Sequence, residues 1–271
     1  MRADLHIHTS MSDGLFAPSQ VVRMAASAGL DVIAITDHNT IAGLLEAGRI
    51  AHEMDITFIA GVELTCTIAG YGEIHLLGFG FDTANSALVE TFEHVRRLKR
   101  AQIHEIVENL SRQGINIRFE DVLRQAESCY VGRQHVARAL RHKRNPMSRY
   151  EIFQTYIGRE GKAYVKMEPF PPEEAIASIK QAGGLTVLAH PSIELLDSSV
   201  RDLVDVGLDG IEVYRPLCQG NELLYLEMVA EDLGLIATGG SDWHGLPNDP
   251  PLGTFHLDEK VVDPLLARLS I

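Results

Sequence analysis

Residues 2–14 read RADLHIHTSMSDG, and they place two histidines and two acids in a strand-like run before any helical pattern has begun. In a strand, successive side chains point to opposite faces. The alternation therefore predicts one face carrying Ala3, Leu5 and Ile7 and the other carrying Asp4, His6 and His8. If the oily face packs on helices, the polar face looks into the interior, where an unpaired polar group costs roughly 2–7 kcal/mol. A metal ion bound by that face would satisfy it.

Outward from this strand the pattern alternates. Residues 18–30 (PSQVVRMAASAGL) read as a helix with Pro near its start and Gly at its end, 31–36 (DVIAIT) as a buried strand, 41–54 (IAGLLEAGRIAHEM) as a helix and 56–64 (ITFIAGVEL) as a strand. The rhythm returns late, in 173–183 (EEAIASIKQAG), 185–190 (LTVLAH), 200–207 (VRDLVDVG), 210–214 (GIEVY), 221–234 (NELLYLEMVAEDLG), 235–240 (LIATGG) and a closing helix 261–269. Such βαβα alternation predicts an α/β fold with a parallel sheet or barrel. Between the two stretches it breaks. Residues 87–114 carry a long helical period, and 131–143 and 149–158 read as shorter helices. The expectation is a barrel domain built from 1–81 and 166–271, with a helical insertion at 82–165 capping the site. The insertion is locally basic (RRLKR, RQHVARALRHKR); those runs read either as solvated helix faces or as charge supplied to a phosphate pocket.

The 271-residue chain has a formal charge of −13, which argues against coating long nucleic acid, since that binding draws on many Lys/Arg–phosphate pairs. A small anionic substrate remains compatible, because carboxylates that bind cations are neutralised in the folded site. Three widely spaced cysteines, Cys66, Cys129 and Cys218, form no CxxC pair, which excludes sulfur-based zinc sites and fits a reducing cytoplasm. No apolar run is long enough for a membrane span, and no basic segment followed by an apolar stretch opens the chain, so an unexported protein with no membrane partner is expected.

Polar residues recur just after the predicted strands, the usual place for sites in such folds. They are His6, His8 and Asp13; Asp37 and His38; Glu63; His75; His190; Glu212; and Asp242 with His244. Each alone is ordinary, a hydrogen-bonded core histidine or a turn acid. Together they are a donor set of imidazole and carboxylate without thiolate, suited to Zn, Mn or Fe and too numerous for one ion. Two or more ions about 3.5–4 Å apart are the usual apparatus of phosphoryl transfer. Glu63, flanked by small residues, is the candidate bridge. His75 lies early in its strand, though 68–73 (IAGYGE) could turn that strand back beside Glu63. His52, His94, His104, His142 and His256 read as surface or core residues.

DLHIHTSMSDG (4–14), ITDHNT (35–40), GVEL (61–64), LAHP (188–191) and GSDWH (240–244) resemble the successive motifs of the PHP (polymerase and histidinol phosphatase) family of metal-dependent phosphoesterases. The resemblance implies a distorted (β/α)7 TIM-like barrel with three divalent ions, manganese or alternatively iron or zinc. One ion would take His6, His8, Glu63 and Asp242; a second Asp13, His38 and His244; a third would share Glu63 and add His75 and His190. Asp4, Asp37 and Glu212 are expected to orient ligand imidazoles. The helical insertion resembles the branch that hydrolyses 3′,5′-nucleotide bisphosphates to 5′-nucleotides and trims short RNA 5′ to 3′. A hydroxide bridging the ions, held through Glu63, His6, His8 and Asp242, would attack in line. Arg133, His135 and Arg215 are the expected cations for substrate. The alternatives are a histidinol-phosphate or other small phosphomonoester phosphatase, a C–N hydrolase of the metal-barrel type, and a non-catalytic metal-binding module. The last would be expected to have lost ligands, and the C–N hydrolases commonly bridge with a modified lysine where this chain has Glu63.

Overall fold

In a computed structural model, which describes residues 1–143 and 145–271, strands β1 (Arg2–Ile7), β2 (Val32–Ile35) and β3 (Thr57–Ile68) run parallel. Helices α1 (Pro18–Ser27) and α2 (Leu44–Glu53) connect them. Strand β4 (Gly72–Phe79) then returns antiparallel to β3 and is itself antiparallel to β5 (Leu185–Leu188). Strands β5, β6 (Gly210–Tyr214) and β7 (Ile236–Gly239) are parallel again. A parallel bridge between Ile7 and Trp243, with the His8 N–H donating to the Trp243 carbonyl at 2.9 Å, brings β1 against the segment after β7. The sheet thus curls into a nearly closed barrel, with the short β8 (Leu257–Asp258) antiparallel to β1 at the margin. The expected barrel is present, but its β3–β4 step is a hairpin rather than a βαβ unit.

Both faces of the sheet are buried, which is why β2 reads as an unbroken apolar run. Its Ile33 and Ile35 pack with the helices, beside Val21 and Val22 of α1, while Val32 and Ala34 join Leu77, Phe79 and Val187 in an inner cluster. That cluster is completed by Val262 and Leu265 of α10 (Glu259–Leu269). The expected division of β1 is corrected here. Ala3 and Leu5 belong to the inner cluster but Ile7 belongs to the helix-facing one, and the pairing register with β2 shifts between Asp4 and Ile7. An irregularity of this kind re-aims side chains mid-strand. It lets apolar Leu5 fill the barrel below while His6 and His8 face the site above.

Between β4 and α7 (Pro172–Gln181) the described chain is helical: α3 (Ser86–Arg112), α4 (Phe119–Leu123), α5 (Arg133–His142), α6 (Arg149–Ile152) and a π-helical turn, Phe153–Ile157. The N-terminal half of α3 packs on the barrel through Leu88, Phe92 and Val95. Its second half forms a separate core, with Ile103, Ile106 and Leu110 against Val136 and Leu140 of α5 and Ile152 of α6. Arg144 of the basic run lies outside the described residues. Helix α8 (Ile193–Asp205) begins earlier than its apolar period suggests because the Ser192 hydroxyl caps it, accepting the Leu195 N–H at 3.2 Å. Helix α9 (Asn221–Asp232) then links β6 to β7. Among the described residues no helix is long and apolar enough to cross a membrane.

Candidate metal centre

All nine expected ligands come together at one end of the barrel. His6 lies next to the end of β1, His8 and Asp13 follow it, His38 follows β2, Glu63 lies in β3, His190 follows β5, and Asp242 and His244 follow β7. The early position of His75 has a topological cause. Strand β4 runs opposite to its neighbours, so its beginning lies at the end where they finish. Its pairing sets Thr65 opposite His75 and Glu63 opposite Leu77, which makes Glu63 and His75 diagonal neighbours on one face. Close packing of β7 on β1 needs Gly240, where a Cβ would fall 2.3 Å from the Cβ of His6. His190 (φ 28°) and Asp242 (φ 53°) hold left-handed backbone conformations, strain of about 1–3 kcal/mol that is tolerated where a site requires the geometry.

The first donor group is His6, His8, Glu63 and Asp242. The two Nε2 atoms are 3.1 Å apart; Glu63 Oε2 is 3.4 and 3.2 Å from them, and Asp242 Oδ1 is 3.4 and 3.1 Å. A tetrahedral ion with bonds of about 2.0–2.1 Å holds its ligand atoms about 3.3–3.4 Å apart, so these four atoms are spaced as the edges of one coordination polyhedron. His8, Asp13, His38 and His244 form a second group, with Asp13 Oδ1 at 3.3 Å from His244 Nε2 and 3.8 Å from His38 Nε2. The other oxygen of Glu63 lies 2.8 Å from both His75 Nδ1 and His190 Nε2. His38 also approaches Glu63, its Nδ1 2.9 Å from Oε2, so it reaches the third group as well as the second.

Fit to cations rests on two observations. Asp13 Oδ1, His38 Nδ1 and Glu63 Oε2 are buried and, close as they lie to other nitrogens and oxygens of the cluster, none has a neighbour aligned for a hydrogen bond, a costly condition for any of them. The protein also fixes at least one lone pair toward the centre: Glu212 Oε1 lies 2.9 Å from His6 Nδ1, so that nitrogen donates and Nε2 is left to accept. The field of the cluster attracts positive charge. Burial disfavours the His6 imidazolium, but Glu212, Glu63 and Asp242 outweigh it and raise its pKa well above the usual value. His8, buried between the Asp242 and Glu63 carboxylates, is pushed up to about 10. Glu63 is held well below the usual carboxylate range, the surrounding histidines His38, His75 and His6 overcoming the burial that would raise it. Divalent cations in place of protons suit this donor set.

The three expected orienting acids divide. Glu212 grips the His6 ring and also accepts the His190 N–H at 2.7 Å. Asp4 is corrected, for it holds backbone amides rather than an imidazole, whereas Asp37 reaches a ring only through Ser12, whose Oγ lies 3.4 Å from His8 Nδ1. Asp4 Oδ1 accepts the backbone N–H groups of Ser241 at 2.9 Å and His6 at 3.3 Å, tying β1 to the loop after β7. Asp37 accepts the Thr9 N–H at 2.8 Å and the hydroxyls of Thr9 and Ser12 at 2.6 and 2.5 Å, which fixes the loop carrying Asp13.

The cluster opens into a pocket of about 280 Å³ whose other wall carries Lys99, Tyr130, Arg133, Gln134 and Phe153. A larger cavity of about 530 Å³ contains none of the nine donors. Of the expected substrate cations, Arg133 lines the pocket, 3.6 Å from Glu73. Arg215 does not; it donates to Glu222 at 3.0 Å. His135 is corrected outright. It is 1% exposed and its Nδ1 accepts the Gly132 N–H at 3.1 Å, closing the first turn of α5, and burial lowers its pKa to about 4. It is neutral and cannot serve as a cation.

Sequence reasoning missed Lys99, which is 4% exposed and pairs with Glu73 Oε2 at 2.9 Å. It lies within RRLKR, yet it falls on the apolar stripe of α3 with Val95, Gln102 and Ile106, and that register was the available signal. Glu73 also accepts from Gln102 at 2.5 Å, and burial of its carboxylate is outweighed by Lys99 and Arg133, which hold it well below the usual range. Arg138 of α5 donates to the Asp13 carbonyl and so fastens the helical segment to the metal-site loop.

The PHP domain family matches residues 4–151, and the fold is the one the motif resemblance implied. The chain belongs to the PHP domain family. PHP relatives include a 5′-3′ exoribonuclease of Haemophilus influenzae, 32% identical over 246 residues and covering 89% of each chain. A 3′,5′-nucleoside bisphosphate phosphatase of Chromobacterium violaceum is 30% identical over 247 residues, 89% of this chain and 86% of the relative. A phosphoribosyl 1,2-cyclic phosphate 1,2-diphosphodiesterase of Eggerthella lenta is 30% identical over 251 residues, 90% and 95%. The crystal structure of a Bifidobacterium adolescentis chain, described as a metal-dependent phosphoesterase, superposes with a TM-score of 0.86 at 32% identity, covering 98% and 96%.

Proposed function

We propose that this PHP hydrolase removes the 3′-phosphate from nucleoside 3′,5′-bisphosphates, and that the same geometry releases 5′-nucleotides from the 5′ end of short RNA. The observation that carries the reading is one pocket holding both the donor cluster and a second, separate pair of cations, Lys99 and Arg133. Three divalent ions, manganese in the first instance and iron or zinc as alternatives, fit the imidazole and carboxylate donors. Such ions lower the pKa of water to give a nucleophile at neutral pH and offset the charge of the attacked phosphate.

The chain's own groups do the rest. Glu63, His6, His8 and Asp242 would hold the ion that activates water at the barrel mouth, with Glu212 locking the His6 tautomer. Lys99 and Arg133 share one carboxylate, Glu73, so the trio retains a net positive charge for the phosphate that does not react. Tyr130 faces the same pocket; burial and the carboxylates of Asp13, Glu63 and Glu73 raise its phenol well above the usual value, keeping it a hydrogen-bond donor. Three free cysteines, two of them buried, support a reducing, cytoplasmic setting.

A second reading has specific support in the Eggerthella relative. A phosphoribosyl cyclic phosphate also presents one phosphoryl group to be cleaved and another to be held, so the Arg133 and Lys99 grip suits it too. The deciding experiment is turnover by manganese-loaded protein of adenosine 3′,5′-bisphosphate, 5′-phosphorylated short RNA, phosphoribosyl 1,2-cyclic phosphate and histidinol phosphate. The proposal expects the highest kcat/KM on the bisphosphate. A tenfold or greater preference for the cyclic phosphate or for histidinol phosphate would replace it.

A further inference from the structure

Beside the metal pocket lies a groove of about 140 Å³ that shares His75, Arg133 and His190 with it and continues between Tyr71 and Tyr164 to Arg159. At about 30 Å³ per water molecule this is space for roughly five waters, enough for a flat ring system and too little for a whole nucleotide. Its walls are planar. The Arg159 guanidinium lies 4.9 Å from the centre of the Tyr71 ring and that of Arg133 5.7 Å from Tyr164.

The groove is built rather than incidental. The Tyr71 hydroxyl is anchored to Ser192 Oγ at 2.8 Å, and Arg159 Nη2 donates to the Glu73 carbonyl at 3.1 Å. The hairpin makes room for Arg159 at Gly72, whose φ of 106° disfavours any side chain and where a Cβ would come 3.4 Å from Arg159 Nη2. Among the described residues no carboxylate pairs with Arg159, although the chain carries a net charge of −13.

Resting on the proposed bisphosphate reading, we propose that this groove takes the nucleobase, which stacks among Arg159, Tyr71 and Tyr164 while the two phosphates occupy the metal centre and the Lys99–Arg133 pair. Aromatic rings and guanidinium planes stack every base, because each base presents a π-face. The groove therefore distinguishes nucleotides from base-free sugar phosphates and discriminates little among the four bases. That property would separate this chain from an enzyme of phosphoribosyl cyclic phosphates, whose substrate has no base to place there.

The test is titration calorimetry of the manganese-loaded protein with adenosine 5′-monophosphate and with ribose 5-phosphate, which differ by the base. The nucleotide should bind roughly 5- to 160-fold more tightly, the range that stacking of one base supplies. Tyr71→Leu and Arg159→Gln should bring the two affinities within about twofold of each other while leaving ribose 5-phosphate binding within about twofold of the parent. Arg159→Lys keeps the charge but not the plane and should resemble Arg159→Gln. Equal affinities in the parent, variants that keep the preference, or variants that weaken both ligands alike would overturn the base assignment. These outcomes are separate from turnover. Failure to hydrolyse the bisphosphate would refute the proposed reaction and leave the measured base preference to stand or fall by itself.

Discussion

Glu212→Gln isolates the orienting role of a side chain that touches no substrate. The Glu212 carboxylate accepts two N–H groups at once, from the His6 ring at 2.9 Å and from the His190 backbone at 2.7 Å. Glutamine has one acceptor oxygen, so its NH2 must face one of those donors. If it faces His6, the ring takes its other tautomer and turns Nε2–H toward His8 Nε2, 3.1 Å away, where an ion should bind. If it faces the His190 amide, a buried N–H is orphaned beside a residue already at φ 28°. Replacing such a partner weakens metal binding by about 10–100-fold, or roughly 1.4–2.7 kcal/mol. Competition against a chelator should show one class of manganese weakened by that factor in Glu212→Gln, with turnover at low metal falling in parallel and recovering at high metal. Unchanged affinity for every ion, or lost turnover that saturating metal fails to restore, would refute the account of Glu212.

Other expectations follow from the same geometry. Glu63→Ala removes two oxygens that face separate donor groups, so elemental analysis should show loss of more than one of about three ions per chain; loss of one alone would deny the bridge. Arg133→Ala should lower kcat/KM on a 3′,5′-bisphosphate by about 10–10³-fold and leave a small aryl phosphate nearly unaffected, because only the former has a second phosphate to hold; equal losses would place Arg133 at the reacting phosphate. His135 is neutral in the fold, with a pKa lowered from 6.5 to about 4, so its contribution to stability is complete above pH 6.5 and is lost as pH falls from there toward 4. Denaturant unfolding of metal-free protein should lose about 2 kcal/mol more between pH 7.5 and 5 than His135→Gln does, whereas equal losses would mean that His135 titrates normally.

The donor set was legible in the sequence because metal ligands are local events: most of the motifs sit at or just past a strand end, and the fold has only to bring those ends together around Glu63 in β3. His75 fitted the rule poorly until the reversal of β4 explained it, a topological fact that a single strand's pattern does not carry. The alternation of β1 misled for a related reason, since a register shift between Asp4 and Ile7 reassigns faces without altering the apolar period. Charged residues were the least legible. Lys99 and His135 lie in basic runs of similar appearance; one turns into the pocket as a buried cation and the other is a neutral cap inside a helical core. Asp4 and Asp37 share the polar character of their neighbours, yet they hold backbone amides and hydroxyls. Distance to a specific partner decided each of these, and spacing along the chain does not encode it.

The most direct test of the central claim is anomalous X-ray scattering from crystals of the manganese-loaded protein, collected on either side of the manganese edge. Three peaks are expected at the barrel mouth: one among His6, His8, Glu63 and Asp242, one among Asp13, His38 and His244, and one beside His75 and His190, with Glu63 shared between the first and third. An active, manganese-loaded crystal with no peak among these residues, or with its only peak elsewhere, would contradict the assignment.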